Sequence, residues 1–398
     1  MNAHHLPAGA NPTAPGRPGF RRLCSGAAIL LAVGLLLASG GGVLAAQSGG
    51  FGPAYARRFT LEAAGAATLA TVYPGTGDTA GREAARYLLV ERGSSVPRGY
   101  GDATVVRTPV RRAVTLSSTY LPALRELGVS DRIVGHDRSE WVYSPRIRER
   151  METGDIAEVG SGETLDIERV LSLDPEVVFT YDAGTGSENP YPRLADTGLT
   201  VVTTMEFREH HPLGRSEWIR FLAAFFDAEK QAEQVFAGIE ARYLRLERRA
   251  RTAEARPTVF LNVPWGASWA LPAGGNYSAV FLEDAAASYV FADRTGTGTL
   301  FLDFETVLAE AGEAAFWLNP GQWESLADGR AQDRRFRLFE AFRSGRVYNN
   351  DRRTAENGGN DYFESGYLYA DRVLADLIAI FHPELMPDHE LYYYRRLE

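Results

Sequence analysis

The sequence predicts an α/β fold of two lobes, each with a central, mostly parallel sheet flanked by helices, joined by a long connecting helix. One phrase occurs twice, as DIERVLSLDPEVVF at Asp166–Phe179 and as DFETVLAEAGEAAF at Asp303–Phe316, a gapless match 137 residues apart (303 − 166). Strand and helix patterns alternate around both copies, as in α/β proteins. Residues 216–255, between the copies, carry apolar residues at helical spacing. A repeated helix–strand phrase of this kind predicts two similar lobes.

Each copy of the phrase predicts a short helix followed by a buried strand. The opening aspartate is a good helix N-cap, and the acid two positions later, Glu168 or Glu305, falls in the first turn. The runs Val177–Tyr181 and Ala314–Leu318 have the length and apolar content of buried parallel strands. A carboxylate at a helix N-terminus contributes a few tenths to about 1 kcal/mol. The local sequence therefore fits a stabilising role for these two glutamates as well as it fits a recognition role.

Lobe one is predicted for residues 51–215. It opens with two strand patterns separated by a turn region rich in Gly, Pro and Asp, an arrangement typical of a hairpin. A strand, a helix that Gly128 stops and a further short strand follow, and the alternation continues to about Met205. The predicted elements are, in order, Phe59–Tyr73, Ala84–Glu91, Arg112–Leu116, Thr119–Leu127 and Ile133–Gly135.

The connecting segment, residues 216–255, is predicted to form one or two amphipathic helices that end before Pro257. Its portion Glu229–Arg251 would alone be about 35 Å long at 1.5 Å per residue, enough to cross from one domain to another. Lobe two is predicted for residues 256–398. Its elements include strands at Thr258–Val263 and Val347–Asn350, the second copy of the phrase, and a helix within Gly366–Phe381.

Residues 1–46 predict an export signal. Three arginines precede a stretch of small and apolar residues, 27–46, that ends in candidate cleavage sites for a signal peptidase. A retained N-terminal anchor is the alternative, because about 20 apolar residues can also span a bilayer. The one cysteine, Cys24, lies before the apolar stretch, so attachment of a lipid is not expected. The processed protein would then be periplasmic and free of cysteine, which excludes disulfides and thiolate metal sites.

Composition and motifs argue against several function classes. The formal net charge is −9 and no basic stripe with interleaved aromatic residues occurs, so nucleic acid is not an expected partner. The chain contains no Gly-x-Ser-x-Gly elbow, phosphate-binding loop or His-Glu-x-x-His motif, which argues against an enzyme. Direct binding of Zn or Mn is an alternative function. The candidate ligands for such a site are His136, His210, His211, His382 and His389.

Three segments resemble class III periplasmic binding proteins, which deliver vitamin B12, ferric siderophores or haem to ABC importers. Ala113–Asp137 is similar to the family's opening strand, helix and second strand. Val159–Tyr181 is similar to its most recognisable stretch, N-x-E-x-I-x-x-L-x-P-D, and Phe301–Leu308 matches the corresponding segment of the second lobe. The resemblance implies that Glu168 and Glu305 dock onto a dimeric membrane permease that works with an ATPase. It also implies a ligand between the lobes, and we expect a ferric siderophore-like complex, with vitamin B12 or haem as alternatives.

Ligands of open α/β sheets bind outside the carboxyl ends of the strands, so the loops that follow the strands carry the candidate contacts. Aromatic side chains in these loops can pack on a flat ligand, and arginine can pair with an anionic group. Aromatic residues also close cores and lobe interfaces, which is the alternative for each of them. No resident cofactor or metal ion is predicted. The predicted ligand-binding residues are Trp141, Tyr143, Tyr181, Trp265, Trp269, Tyr277, Trp323 and Arg352.

Residues 357–364, with the sequence NGGNDYFE, have two interpretations. The longer segment Asn357–Leu385 resembles the ending of one branch of iron-complex binders. Its first residues are dense in polar groups and contain two glycines. They fit a glycine-permitted turn, in which Asn and Asp side chains bond to the backbone, as well as they fit a ligand contact.

Overall fold

The computed structural model describes residues 52–74, 84–181 and 191–398. Residues 49–398 cluster as one unit, and the predicted export signal lies outside the described residues. Within the described ranges, no helix is long and apolar enough to cross a membrane. Parallel sheets flanked by helices confirm the predicted α/β class.

The first four strands of lobe one form a sheet in the order β1-β2-β3-β4, in which β3 and β4 are parallel and the other pairs antiparallel. Its strands are β1 Phe59–Ala64, β2 Ala67–Val72, β3 Ala85–Glu91 and β4 Thr104–Thr108. The stretch predicted as one strand over 59–73 is thus itself a hairpin, because Gly65 adopts a positive φ of 68° and the chain reverses there. Phe59 packs this sheet against Trp218 and Phe221, with ring centroids 4.9 and 5.6 Å apart.

Lobe one contains a five-stranded sheet in the order β7-β6-β5-β8-β9, with every neighbouring pair parallel. The central strands are buried on both faces, as their continuous apolar sequences predict. Its strands are β5 Ala113–Thr115, β6 Ile133–His136, β7 Ala157–Glu158, β8 Val177–Tyr181 and β9 Val201–Thr204. Its helices are α1 Tyr120–Glu126, α2 Pro145–Glu152, α3 Ile167–Ser172 and α4 Tyr191–Asp196.

Two helices stand where the connecting segment is predicted. Helix α5 spans Pro212–Ala224 and begins earlier than expected, because Pro212 occupies the first helical position. Helix α6 spans Glu229–Ala250, and its 22 residues correspond to about 33 Å. The chain breaks between the two helices at Asp227, which has a positive φ of 56°. Helix α5 is buried along nearly its whole length, so it is a core element and not an exposed linker.

Lobe two contains a five-stranded sheet in the order β13-β10-β15-β16-β17, parallel except for β17, and a three-stranded antiparallel sheet in the order β11-β12-β14. Its strands are β10 Thr258–Leu261, β11 Pro264–Trp265, β12 Ser268–Pro272, β13 Ser288–Tyr289, β14 Thr299–Leu302, β15 Phe316–Leu318, β16 Val347–Asn349 and β17 Arg395–Arg396. Its helices are α7 Tyr277–Asp284, α8 Phe304–Ala311, α9 Leu326–Gln332, α10 Glu340–Arg343, α11 Asp361–Glu364 and α12 Ala370–Phe381.

The repeated phrase occupies the same topological position in both lobes. Helix α3 leads into β8, which lies between β5, the first strand of its five-stranded sheet along the chain, and β9; helix α8 leads into β15, which lies in the same way between β10 and β16. Asp166 caps α3 by accepting the N–H of Arg169 (2.8 Å), and Asp303 caps α8 by accepting the N–H of Thr306 (2.7 Å). Both predicted helix–strand pairs are confirmed.

Candidate ligand-binding cleft

A cleft of about 310 Å³ opens at the carboxyl ends of β5, β6, β8 and β9 in lobe one. This is the edge of the sheet at which the topology predicts a ligand site. One residue of lobe two, Tyr367, completes the wall. The lining residues are Leu116, Ser117, Ser118, Thr119, Asp137, Trp141, Tyr181, Glu206, Phe207, Arg208 and Tyr367.

The loops after β5 and β9 bring hydroxyl groups and a carboxyl group together. Glu206 is buried and accepts hydrogen bonds from the hydroxyls of Thr119 (3.2 Å) and Thr204. Burial raises the pKa of Glu206 above its ordinary value, although these hydroxyl donors oppose the shift. The hydroxyls of Ser117 and Thr119 lie 2.8 Å apart. This side of the cleft therefore presents an ordered polar network.

Asp137 is the first residue after β6 and supplies a second carboxyl group to the cleft wall. The residue is only 3% exposed, and its carboxyl group is hydrogen-bonded to Ser161. Burial raises the pKa of Asp137 to about 6. Its Oδ1 atom is buried without a hydrogen-bond partner in the part of the chain that the structure describes.

Two of the predicted aromatic residues, Trp141 and Tyr181, lie on this wall. Trp141 is 47% exposed, and the guanidinium of Arg138 stacks over its ring at 4.6 Å. The ring of Tyr181 meets that of Phe207 edge-on, with the centroids 6.1 Å apart. The cleft thus offers exposed aromatic surface beside its carboxyl groups.

A buried arginine joins the lobes next to the cleft. The Arg215 guanidinium on α5 lies over the ring of Tyr277 at 3.2 Å and over the ring of Tyr367 at 4.6 Å. It also donates to the carbonyl of Phe207 (2.7 Å). The predicted ligand contact Tyr277 therefore faces this arginine, and Tyr367 reaches both the arginine and the cleft.

Residues 353–364 of lobe two, which we call the inter-lobe strap, bind residues 139–144 of lobe one, which we call the Trp141 loop. Glu364 Oε2 accepts the backbone N–H groups of Tyr143 (2.7 Å) and Ser144 (3.3 Å). The Asn357 amide donates to two carbonyls of the same loop, those of Ser139 (2.5 Å) and Val142 (3.1 Å). In these contacts the strap therefore has a structural role, because its Glu364 and Asn357 side chains both bond to backbone groups of the Trp141 loop.

The strap also accounts for the position of Tyr143, a predicted ligand contact. The Arg353 guanidinium lies 5.0 Å from the centre of the Tyr143 ring and pairs with Asp361 (2.6 Å). Burial and, to a smaller extent, the neighbouring Asp361 raise the pKa of Glu364 to about 7, against the lowering effect of the backbone donors. Tyr143 is thus packed under the strap and is not among the residues that line the cleft.

The two glutamates of the repeated phrase are exposed on the first turns of α3 and α8. Glu168 has no hydrogen-bond or ion-pair partner within the described ranges. Glu305 lies 3.1 Å from Arg335, but its side chain remains 76% exposed. Neither carboxylate is buried, so both are accessible to a partner.

The candidate metal ligands do not converge. Across the described ranges, no group of three or more His, Cys, Asp or Glu side chains is arranged to hold a metal ion. His136 is fully buried, its Nδ1 lies 2.7 Å from the Thr115 hydroxyl, and burial lowers its pKa to about 4. His389 Nε2 lies 2.7 Å from Asp376, far along the chain in the C-terminal segment.

The family model for periplasmic binding proteins matches residues 114–354, more than half of the 398-residue chain. The chain belongs to the periplasmic binding protein family. An uncharacterized lipoprotein of Methanocaldococcus jannaschii is 26% identical over 326 residues, which cover 78% of this chain and 75% of the relative. The relative is named a lipoprotein. The one cysteine of this periplasmic binding protein, Cys24, lies before the apolar stretch of the predicted export signal, so we expect no lipid attachment at that residue.

Two solved structures show the same fold. A periplasmic heme-binding protein from Pseudomonas aeruginosa has a TM-score of 0.55 at 17% identity, and the match covers 73% of this chain and 98% of that protein. An ABC-type Fe3+-hydroxamate transport protein from Saccharomonospora viridis has a TM-score of 0.52 at 16% identity, with 69% and 94% covered. Membership of the periplasmic binding protein family implies an extracytoplasmic protein with a substrate-binding role.

Besides Tyr143 and Tyr277, four more predicted ligand contacts of this periplasmic binding protein do not line the cleft. Trp269 is fully buried and donates to the Leu261 carbonyl (3.0 Å), and the buried Trp323 donates to the Gln332 side chain (2.6 Å). Their rings pack against core side chains, which corrects the expectation that they face a ligand. Trp265 is 91% exposed at the β11–β12 turn, and Arg352 is exposed on a loop; neither lines the cleft.

The cleft also contains residues that were not predicted as ligand contacts. Asp137 is the first residue after β6, and Glu206, Phe207 and Arg208 lie two to four residues after β9, so the rule that found Trp141 also applies to them. Asp137, Glu206 and Arg208 are polar and therefore lie outside the aromatic pattern, whereas Phe207 fits that pattern and was missed. Tyr367 has no such signal, because it reaches the cleft from the other lobe.

Proposed function

We propose that this protein is the extracytoplasmic substrate-binding protein of an ABC importer, and that its cargo is a ferric chelate of the siderophore type. The observation that carries the proposal is the cleft at the carboxyl ends of four parallel strands, walled by Trp141 and Tyr181 and closed by Tyr367. A cleft with aromatic walls and a few fixed polar groups is the usual form of a small-molecule site.

The choice of an iron complex is supported by two neighbours of the same fold. One is a heme-binding protein and the other belongs to an Fe3+-hydroxamate transport system. The described part of this chain presents no cluster of side chains for a bare metal ion. A metal that arrives already wrapped in an organic chelate needs no such cluster, because aromatic and polar groups can bind the chelate.

The proposed partner is a dimeric membrane permease with its ATPase, and Glu168 and Glu305 are the proposed docking residues. The two carboxylates are exposed at equivalent positions of two matched lobes, so a symmetric pair of basic pockets could receive both. Charge complementarity of this kind mainly increases the association rate and the specificity of an interface.

Two measurements test the proposal. The absorption spectrum and mass of the compound that copurifies with the exported protein should identify a ferric chelate, and a colourless organic compound without iron would contradict the cargo. In a strain that depends on this importer, Glu168→Ala with Glu305→Ala should abolish uptake of that compound and leave its affinity for the protein unchanged. Matched exposed glutamates, Glu152→Ala with Glu313→Ala, serve as the control and should leave uptake intact.

A further inference from the structure

One carboxyl group of the cleft is held in place but not satisfied. Asp137 lines the cleft, is 3% exposed and is hydrogen-bonded to Ser161. Its Oδ1 atom is buried and has no hydrogen-bond partner within the described ranges. A buried carboxylate oxygen without a donor is costly, so such groups normally mark a place where another molecule supplies the donor.

The groups around Asp137 do not neutralise it fully. The charged side chains that act on it are Arg138, Glu140 and Glu158, of which two are acidic. Arg138 donates to Glu140 (2.9 Å) and stacks on Trp141, so its charge is shared. Asp137 therefore has no cationic partner of its own among the described residues.

The rest of the cleft also favours a cation over an anion. Glu206 adds a second carboxyl group, and Arg208 is the basic residue among the lining side chains, with its guanidinium 5.2 Å from the Phe207 ring. The other nearby arginine, Arg215, is buried between two tyrosine rings and does not line the cleft. The exposed face of Trp141 is a surface that attracts cations.

We propose that the cleft selects a ligand that carries a cationic hydrogen-bond donor such as an ammonium group, and that Asp137 is the residue that binds this group. The inference rests on the proposed function and deepens it, because it names the charge class of the chelate. An anionic tris-catecholate chelate would place like charges beside Asp137 and is the class that the cleft rejects.

The ionisation of Asp137 gives the binding a pH dependence. Burial raises the pKa of this carboxyl group to about 6. As the pH falls through that value the carboxylate is protonated, and its attraction for an ammonium group is lost. Affinity for a cationic chelate should therefore decrease between about pH 7 and about pH 5, whereas affinity for a neutral chelate should change little.

The experiment compares three ferric chelates on the complete exported protein, with quenching of tryptophan fluorescence as the readout. Ferrioxamine B is a trihydroxamate with a free ammonium group, ferrichrome is a neutral trihydroxamate, and ferric enterobactin is a tris-catecholate trianion. The cationic chelate should bind most tightly. Asp137→Asn should weaken its binding at least about tenfold, and the neutral chelate should bind the variant as it binds the original protein.

Asp131→Asn is the matched control, because it makes the same chemical change at an exposed aspartate of lobe one. Circular dichroism confirms that each variant is folded, and the pH titration of the unaltered protein tests the inference without any substitution. Equal or tighter binding of the trianion, or an unchanged preference in Asp137→Asn, overturns the inference and leaves the proposed function standing. Failure of all three chelates to bind overturns both.

Discussion

The ionisation of Glu364 should make the contact between the lobes depend on pH. This strap residue is 1% exposed and receives two backbone N–H groups of lobe one. Burial raises its pKa from 4.5 to about 7. The folded protein therefore binds more protons than the unfolded chain between these two values, and the contribution of Glu364 to stability decreases as the pH rises through that window.

The size of the effect follows from the interval between the two pKa values. An interval from 4.5 to about 7, at 1.36 kcal/mol per pKa unit, corresponds to about 3 kcal/mol. Glu364→Gln keeps an oxygen that can accept both N–H groups and removes the ionisable group. The free energy of unfolding of the variant, relative to the original protein, should therefore increase by about 3 kcal/mol between about pH 4 and about pH 8.

Urea unfolding at the two pH values measures this difference. Other carboxyl groups with raised pKa values, such as Asp137 and Asp284, cancel in the comparison because both proteins contain them. Glu356→Gln, an exposed residue of the same strap, is the control and should show no pH-dependent difference. A difference between Glu364→Gln and the original protein that is the same at both pH values would refute the argument.

Two further substitutions test the packing of the strap and the caps of the repeated phrase. Gly359→Ala would place a Cβ atom 2.4 Å from a backbone oxygen of the Trp141 loop. The substitution should therefore reduce the free energy of unfolding, measured by urea titration, by about 1–3 kcal/mol. An unchanged urea midpoint would mean that the strap does not pack closely against that loop. Asp166→Ala and Asp303→Ala should each cost about 1 kcal/mol through loss of an N-cap, whereas Asp293→Ala, at an exposed aspartate that caps no helix, should not; equal losses for all three would argue against capping.

The parts of the fold that follow local rules could be predicted from the sequence. Helix α3 begins after Asp166 and α8 after Asp303, because an N-cap and apolar spacing are both local signals. The edge of the sheet that forms the cleft follows from the order of strands and helices alone. Trp141 lies on the cleft wall for this reason, and its contact with a ligand stays a prediction.

The burial of individual aromatic residues could not be predicted in the same way. Trp269 was assigned to a loop after β10, but it lies in β12, a strand of a small antiparallel sheet whose pairing with β14 spans about thirty residues. Its neighbour Trp265, four positions earlier, is almost fully exposed. The two tryptophans have similar local sequences, and only the packing of distant elements places one in the core and the other in solvent.

The strap was ambiguous in the sequence for a related reason. Its partners, Ser139 to Ser144, lie more than 200 residues earlier in the chain, so no local pattern links the two segments. Asn357 and Glu364 bond to backbone groups of residues 139–144. Every residue type supplies a carbonyl group and nearly every one an N–H group, so the sequence of that segment does not reveal the contact. Side chains of this kind are indistinguishable from ligand contacts until both lobes are in place.

These inter-lobe bonds bear on how a ligand reaches the cleft. The strap supplies four hydrogen bonds between the lobes, and Tyr369 adds two more, with Glu126 (2.6 Å) and Arg125 (3.0 Å). At about 1 kcal/mol each, separating the lobes at all of these points would cost about 6 kcal/mol, which is roughly a ten-thousandfold reduction in population. We therefore expect a ligand to enter the proposed site without wide separation of the lobes. Such limited motion agrees with lobes joined by packed helices, because α5 and α6 pack against the lobe cores along much of their length.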